Sequence, residues 1–286
     1  MSERNIFNRI TLDYYQLTSS EKKLASYIMA NGLAAAKMSI SELSAECDVA
    51  QATISRFSRK MGYDSYSSFR LSIAAAVATK SAYSAPLAGE ITDRDSVAVL
   101  SDKISADEIS AINETKALIR QESITKAADI LQNADKVLCM GQGASMLMAD
   151  EAAHLFTTVF PGYYAISDSH MQIIYTANLT EKDAILYFSY SGSTKDLQDV
   201  LRIAKKTHTR VILVTRFPGS PGASKADVVL QCGYTESPLQ LGSITARIAQ
   251  LYLIDVLFSE LCRRDMERCK TQREIVAAAL SDKHTN

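Results

Sequence analysis

One alternation recurs between residues 137 and 231, and it restricts the possible folds more than any other feature of the chain. Residues 137–140, 163–166, 184–188, 210–215 and 227–231 are short apolar runs of strand length. Helical patterns follow the first run, over 145–160, and the third, over about 194–207. Parallel neighbours in a sheet need a crossover segment, so strands interleaved with helices of this length point to a parallel sheet covered on both faces. Further helical stretches at about 96–119, 122–133, 243–262 and 265–280 supply the cover. The expected body is a doubly wound, five-stranded α/β sandwich. There is no internal repeat and no low-complexity tract.

The first 80 residues follow a different rule. Thr18-Ser19-Ser20-Glu21 has capping-box spacing, and Leu24, Ala25, Ile28 and Met29 give the following helix an apolar face that stops at Asn31-Gly32. Ser39 caps a second short helix running through Ile40, Leu43 and Ser44. Cys47-Asp48-Val49 then reads as a tight turn, and a third helix over 50–61 ends at Gly62. Ala50, Ile54, Phe57 and Met61 fall on one stripe of it. A further helix is expected over 67–79. From 81 to 95 the sequence turns small and polar, with Pro86 and Gly89, as in a linker. For 286 residues this gives an all-α domain over 1–80, a linker over 81–95 and the α/β domain over 96–286.

Two short helices joined by a tight turn have the outline of a helix-turn-helix. With the stripe of the third helix turned inward, Ala52, Ser55, Arg56 and Arg59 face outward, flanked by Gln51 and Lys60. Small residues at the helix start admit a close approach to a DNA groove. Gln and Arg match adenine and guanine edges, and cations further along meet phosphates. With Thr53 these are the candidate DNA contacts. The competing reading is an ordinary helical subdomain with a solvated basic face. Net charge helps little as a whole, at −1. Residues 1–80, however, hold ten Lys or Arg against seven acids, a balance of +3 that leaves −4 for the remainder.

Composition excludes several classes. With 47% apolar and 22% charged residues the chain buries a core. No apolar stretch approaches a membrane span, and residues 1–16 lack the continuous apolar segment of a signal peptide. Five cysteines without a C-x-x-C pair and four scattered histidines offer no metal-ligand spacing. The expectation is a cytoplasmic protein without disulfide, metal or cofactor.

Two turns carry chemistry. Gly141-Gln142-Gly143-Ala144-Ser145 follows the first strand, and Ser189-Tyr190-Ser191-Gly192-Ser193-Thr194 follows the third. Both open helices, whose first N–H groups and positive dipole end attract anions, and the hydroxyls add donors. Four hydroxyl side chains around one glycine suit a phosphate cradle, whereas capping alone needs one. Candidate ligand contacts are Gly143, Ser145, Ser189, Ser191, Gly192, Ser193 and Thr194. The first turn lacks the third glycine of a dinucleotide fingerprint, Asp168 is a weak substitute for its acidic residue, and no Walker pattern occurs. Glu151 and His154, at i and i+3, could act as an acid–base pair over a sugar. They read better as partly buried residues of a helix at a subunit interface, and His170 as a locally satisfied histidine.

Together the halves resemble the RpiR family of bacterial transcription regulators. The segment from Met38 to Tyr63 is similar to that family's helix-turn-helix, and Gly-Gln-Gly-Ala-Ser, Phe188-Ser-Tyr-Ser-Gly-Ser-Thr194 and the stretch 246–258 resemble sugar isomerase (SIS) domains. The resemblance implies a DNA-binding homodimer or homotetramer with a palindromic operator, whose SIS domain binds a phosphosugar effector without catalysis. It places hydroxyl contacts on Ser145, Ser189, Ser191, Ser193 and Thr194. Two residues depart from the family's pattern. Ala50 stands where a capping Ser is common, and Gly222 where a Leu is usual. The alternative function is a phosphosugar isomerase or lyase with a helical extension, using Glu151, His154 or His170.

Overall fold

The computed structural model describes residues 6–14, 17–83, 91–234 and 243–281. Contacts divide the chain into two compact units, and the division falls inside one helix, between Asp107 and Glu108.

The first unit is built from short helices whose ends are chemically marked. Helix α1 (Ile6–Asp13) precedes α2 (Ser19–Ala30), α3 (Gly32–Ala35), α4 (Ile40–Cys47), α5 (Gln51–Lys60) and α6 (Tyr66–Tyr83). Both α2 and α4 begin in reciprocal capping boxes, Thr18 with Glu21 and Ser39 with Glu42. Asp48, at φ 51°, closes α4 in the left-handed region. Helix α5 ends in a Schellman motif: Gly62 N–H donates to Arg59 O and Tyr63 N–H to Ser58 O, with Gly62 at φ 85°. Ile10, Leu24, Ile28, Leu43, Ile54, Phe57, Phe69 and Ile73 fill the core, with Phe57 and Phe69 edge to face. The stripe of α5 differs from expectation at its start. Ala50 is exposed, and Val49, 7% exposed, takes its place in the core. The left-handed Asp48 turns the chain so that the residue before Ala50 points inward. Helix α6 runs to Tyr83, four residues beyond expectation and into the segment read as a linker. Residues 84–90 of that segment lie outside the described residues.

The α/β part opens with α7 (Val97–Leu118) and α8 (Gln121–Gln132). There follow β1 (Val137–Gly141), α9 (Ala144–Thr157), β2 (Tyr163–Ile166), α10 (Ser169–Ala177), β3 (Ala184–Phe188), α11 (Lys195–Thr207), β4 (Arg210–Thr215), β5 (Val228–Gln231), α12 (Ile244–Arg264) and α13 (Met266–Ser281). The strands form one sheet in the order β2-β1-β3-β4-β5, every pair parallel. Alternate residues feed opposite cores, as the strand period requires. Cys139, Leu186 and Phe188 pack with α8, α9 and α12, whereas Met140, Ile185, Tyr187 and Leu213 pack with α11. Helix α10 was not anticipated. It buries Gln172 and Thr176 and exposes Met171, Ile174 and Tyr175, the reverse of the pattern that marks a helix in sequence.

Strand order decides where a ligand fits. The chain leaves β1 for β2 on one side and returns to β3 on the other. The loops after β1 and β3 therefore diverge and open a crevice at the strands' carboxyl ends.

Candidate functional site

On α5, Gln51, Ala52, Arg56, Arg59 and Lys60 are exposed, with Thr53 and Ser55 half-buried. Ile54, Phe57 and Ser58 form the buried side of the helix. Ala50 supplies no side-chain cap, and only its carbonyl takes part, accepting from Thr53 and Ile54. Among the described residues Arg56 and Arg59 have no ion-pair partner. Lys60 has one: its Nζ lies 3.0 Å from Glu21 Oε2.

The crevice joins the two glycine- and serine-bearing loops. In the β1–α9 loop, a Cβ on Gly141 would meet the Ser145 carbonyl oxygen at 2.5 Å, so only glycine lets α9 sit this close to the strand end. Gly143, exposed at φ 55° and ψ −127°, is the N-cap residue, and Ser145 is half-buried in the first turn of α9. Gln142, between the glycines, is oriented from below. Its Nε2 donates to Gln172 Oε1 at 3.1 Å, and Gln172 Nε2 donates to the carbonyls of Gly141 and Ile166 at 3.0 and 2.8 Å.

In the β3–α11 loop the hydroxyls divide by role. Ser189 is 4% exposed, and its Oγ accepts from Gly192 N–H at 3.2 Å, holding the turn from beneath. Ser191 Oγ accepts from Ser193 N–H, and Ser193 Oγ donates back to Ser191 O. Both residues are half-buried. Thr194 is the N-cap residue of α11, yet its Oγ1 makes no capping bond and has no hydrogen-bond partner. A second loop braces the first. Gly222 N–H donates to Gly192 O at 2.8 Å, and Arg216 N–H and Thr215 Oγ1 both donate to Tyr190 O. Gly192 is at φ 61° against the Ser220 side chain. A Cβ on Gly222 would lie 2.6 Å from Leu197 Cδ2 and 2.7 Å from Gly192 O, which accounts for glycine at that position.

The remaining candidates sit elsewhere. Glu151 and His154 are exposed on α9 of the single chain, whose buried side is taken by Met148, Ala149, Ala152, Ala153 and Phe156. His170 is exposed, and Asp168 caps α10 by accepting from Met171 N–H at 2.8 Å. At the opposite end of the sheet a shallow groove includes Asp129 and Arg210, both already ion-paired, to Arg264 and Asp227. No group of three or more His, Cys, Asp or Glu among the described residues is placed to hold a metal. No described helix is long and apolar enough to cross a membrane. Burial pushes the Cys139 thiol up, as for a cysteine serving as a small apolar group. Two fully buried residues beneath the crevice loops, Gln172 and Tyr187, carry no signal in the sequence. Nothing in their spacing announces them, since Gln172 meets Gln142 across 30 residues and Tyr187 looks like any apolar strand residue.

A family model described as "Helix-turn-helix domain, rpiR family" matches residues 4–80, and one described as "SIS domain" matches residues 130–260. An uncharacterised HTH-type transcriptional regulator of Caldanaerobacter subterraneus is 34% identical over 241 residues, 84% of each chain. The chain belongs to the RpiR family. It is an RpiR-type transcriptional regulator with an SIS domain. The HTH-type transcriptional regulator HexR of Escherichia coli is 26% identical, covering 97% of this chain and 95% of its own. The structure of Vibrio vulnificus NanR complexed with ManNAc-6P superposes with a TM-score of 0.64 at 23% identity, over 99% of this chain and all of that one. The sugar isomerase domain of an RpiR transcription factor from Sphaerobacter thermophilus gives 0.57 at 22% identity, over 63% and 98%. These likenesses establish the SIS fold of the α/β part.

Proposed function

We propose that this RpiR-family regulator binds a palindromic operator through α5 and that a phosphosugar in the sheet crevice sets its affinity for that operator. Gln51, Ala52, Thr53, Ser55, Arg56, Arg59 and Lys60 form the DNA-facing surface. Gly143, Ser145, Ser191, Gly192, Ser193 and Thr194 line the ligand site, with Ser189 holding its shape. The observation that carries the reading is the braced β3–α11 loop at the switch point. There an uncapped helix start and several hydroxyls converge on one glycine. An anionic oxygen is the natural partner of such an arrangement. The ligand in the NanR complex, ManNAc-6P, is a phosphosugar, which favours the same class here.

The genes controlled are those of sugar metabolism, and the site acts as a sensor without catalysis. The acid–base candidates of an isomerase, Glu151, His154 and His170, are exposed on helix surfaces. None makes a described hydrogen bond to either crevice loop. The working form is a cytoplasmic homodimer or homotetramer, organised as a DNA-binding domain over 1–80, a linker over 81–95 and an SIS domain over 96–286. Exposed Tyr164 on edge strand β2 and Ile174 and Tyr175 on α10 offer apolar surface for self-association. Half-sites then lie about 10 bp apart or a multiple of it. Calorimetric titration with glucose 6-phosphate, fructose 6-phosphate, N-acetylmannosamine 6-phosphate and orthophosphate tests the ligand class. Tighter binding of at least one sugar phosphate than of orthophosphate is expected, and no binding by any of them overturns it.

A further inference from the structure

Tyr187 stands near the carboxyl end of β3, opposite Met140 of β1, with its ring in the core under α11. It is 0% exposed, yet its hydroxyl has no hydrogen-bond partner. Gln142 and Thr194 flank that hydroxyl, one from each crevice loop, and neither closes a bond of acceptable geometry with it. Phenylalanine would fill the same core position without burying an unsatisfied group, and buried hydroxyls are nearly always satisfied. The three side chains thus converge beneath the junction of the two loops.

The polarity of the neighbours says what kind of group fits. Gln172 spends its own amide N–H groups on the Gly141 and Ile166 carbonyls, so its Oε1 can only accept. Gln142 turns its amino group towards that oxygen, so its carbonyl oxygen and one further N–H are left to meet other groups. The Asp196 carboxylate lies near enough to the Tyr187 hydroxyl to help burial push its titration upward. A carboxylate this close disfavours an anionic phosphate oxygen at the same spot. A ligand hydroxyl, which both donates and accepts, satisfies Gln142 Oε1 and Tyr187 together.

We propose that Tyr187 and Gln142 form a hydroxyl-recognising subsite on the floor of the crevice, which makes the site prefer a polyhydroxylated phosphate ester to bare phosphate. This rests on the phosphosugar reading above. The test compares the intact chain with Tyr187→Phe and Gln142→Ala. Glucose 6-phosphate, fructose 6-phosphate, N-acetylmannosamine 6-phosphate and orthophosphate are titrated into each, and melting is followed without ligand. The preference for the best sugar phosphate over orthophosphate should fall roughly tenfold in each variant. Tyr187→Phe without ligand should melt at the same temperature or higher. A preference unchanged in both folded variants overturns the subsite and leaves the phosphosugar reading standing. A Tyr187→Phe chain melting several degrees lower also overturns it, since the hydroxyl would then serve the fold. If the unsubstituted chain prefers no sugar phosphate, the broader reading falls and the subsite with it.

Discussion

Lys60 Nζ, at the end of α5, lies 3.0 Å from Glu21 Oε2, the same oxygen that accepts the Thr18 N–H at 2.8 Å. One carboxylate therefore completes the capping box of α2 and neutralises a cation on α5, the helix proposed to meet DNA. Arg56 and Arg59 carry no such partner among the described residues. Replacing either with alanine should weaken operator binding about tenfold and lower the salt slope by about one. Lys60→Ala should cost less than either. Fluorescence anisotropy on operator DNA across a salt series distinguishes the three.

The same carboxylate makes the helical unit sensitive to acid. Burial alone would raise the Glu21 titration, but the Thr18 N–H and the Lys60 ammonium outweigh it and hold it below the ordinary glutamate value of 4.5. A carboxyl depressed in the folded state contributes stability that is fully present above its unfolded value and is lost as pH falls through the folded one. Denaturation midpoints measured between about pH 6 and about pH 3 should drop, and the drop should be shallower in Glu21→Gln. Thr18→Ala should cost about 1 kcal/mol at neutral pH.

Hydroxyls of the β3–α11 loop should separate into those that hold the loop and those that meet ligand. Ser189→Ala removes a buried acceptor from Gly192 N–H and should cost roughly 1 kcal/mol or more of stability. Thr194→Val removes a hydroxyl with no partner, so stability should stay within about 0.5 kcal/mol while sugar-phosphate affinity falls. Urea denaturation and calorimetry on the same two variants supply both readouts.

At Gly222 this loop has no room for a side chain. Gly222→Leu drives a Cβ into Leu197 and the Gly192 carbonyl, so the brace under the ligand loop must shift. A stability loss of about 2 kcal/mol or more is expected, together with a weakened sugar-phosphate response. Thermal melting with and without ligand measures both.

The legibility of this chain follows from how local each signal is. The capping box at Thr18, the cap at Ser39 and the strands at 163–166, 184–188 and 210–215 rest on neighbouring residues and are readable directly. Helix α10 was not, because its buried residues are Gln172 and Thr176 while its apolar ones face out. Ala50 was misplaced for a related reason. Spacing extended the stripe of α5 by one turn, but the left-handed Asp48 hands that place to Val49. At the site, the loop residues were readable from composition. Their division of labour was not: Ser189 as a brace, Lys60 bound to Glu21 and Gln142 oriented by Gln172 all arise from bonds the third dimension makes.

Coupling between the two halves is tested most directly by operator affinity of the intact chain, measured with and without the sugar phosphate that binds best. Ligand should change that affinity by roughly 5- to 150-fold, and operator DNA should change sugar-phosphate affinity by the same factor. Operator affinity that stays constant while the crevice is saturated with sugar phosphate would contradict it.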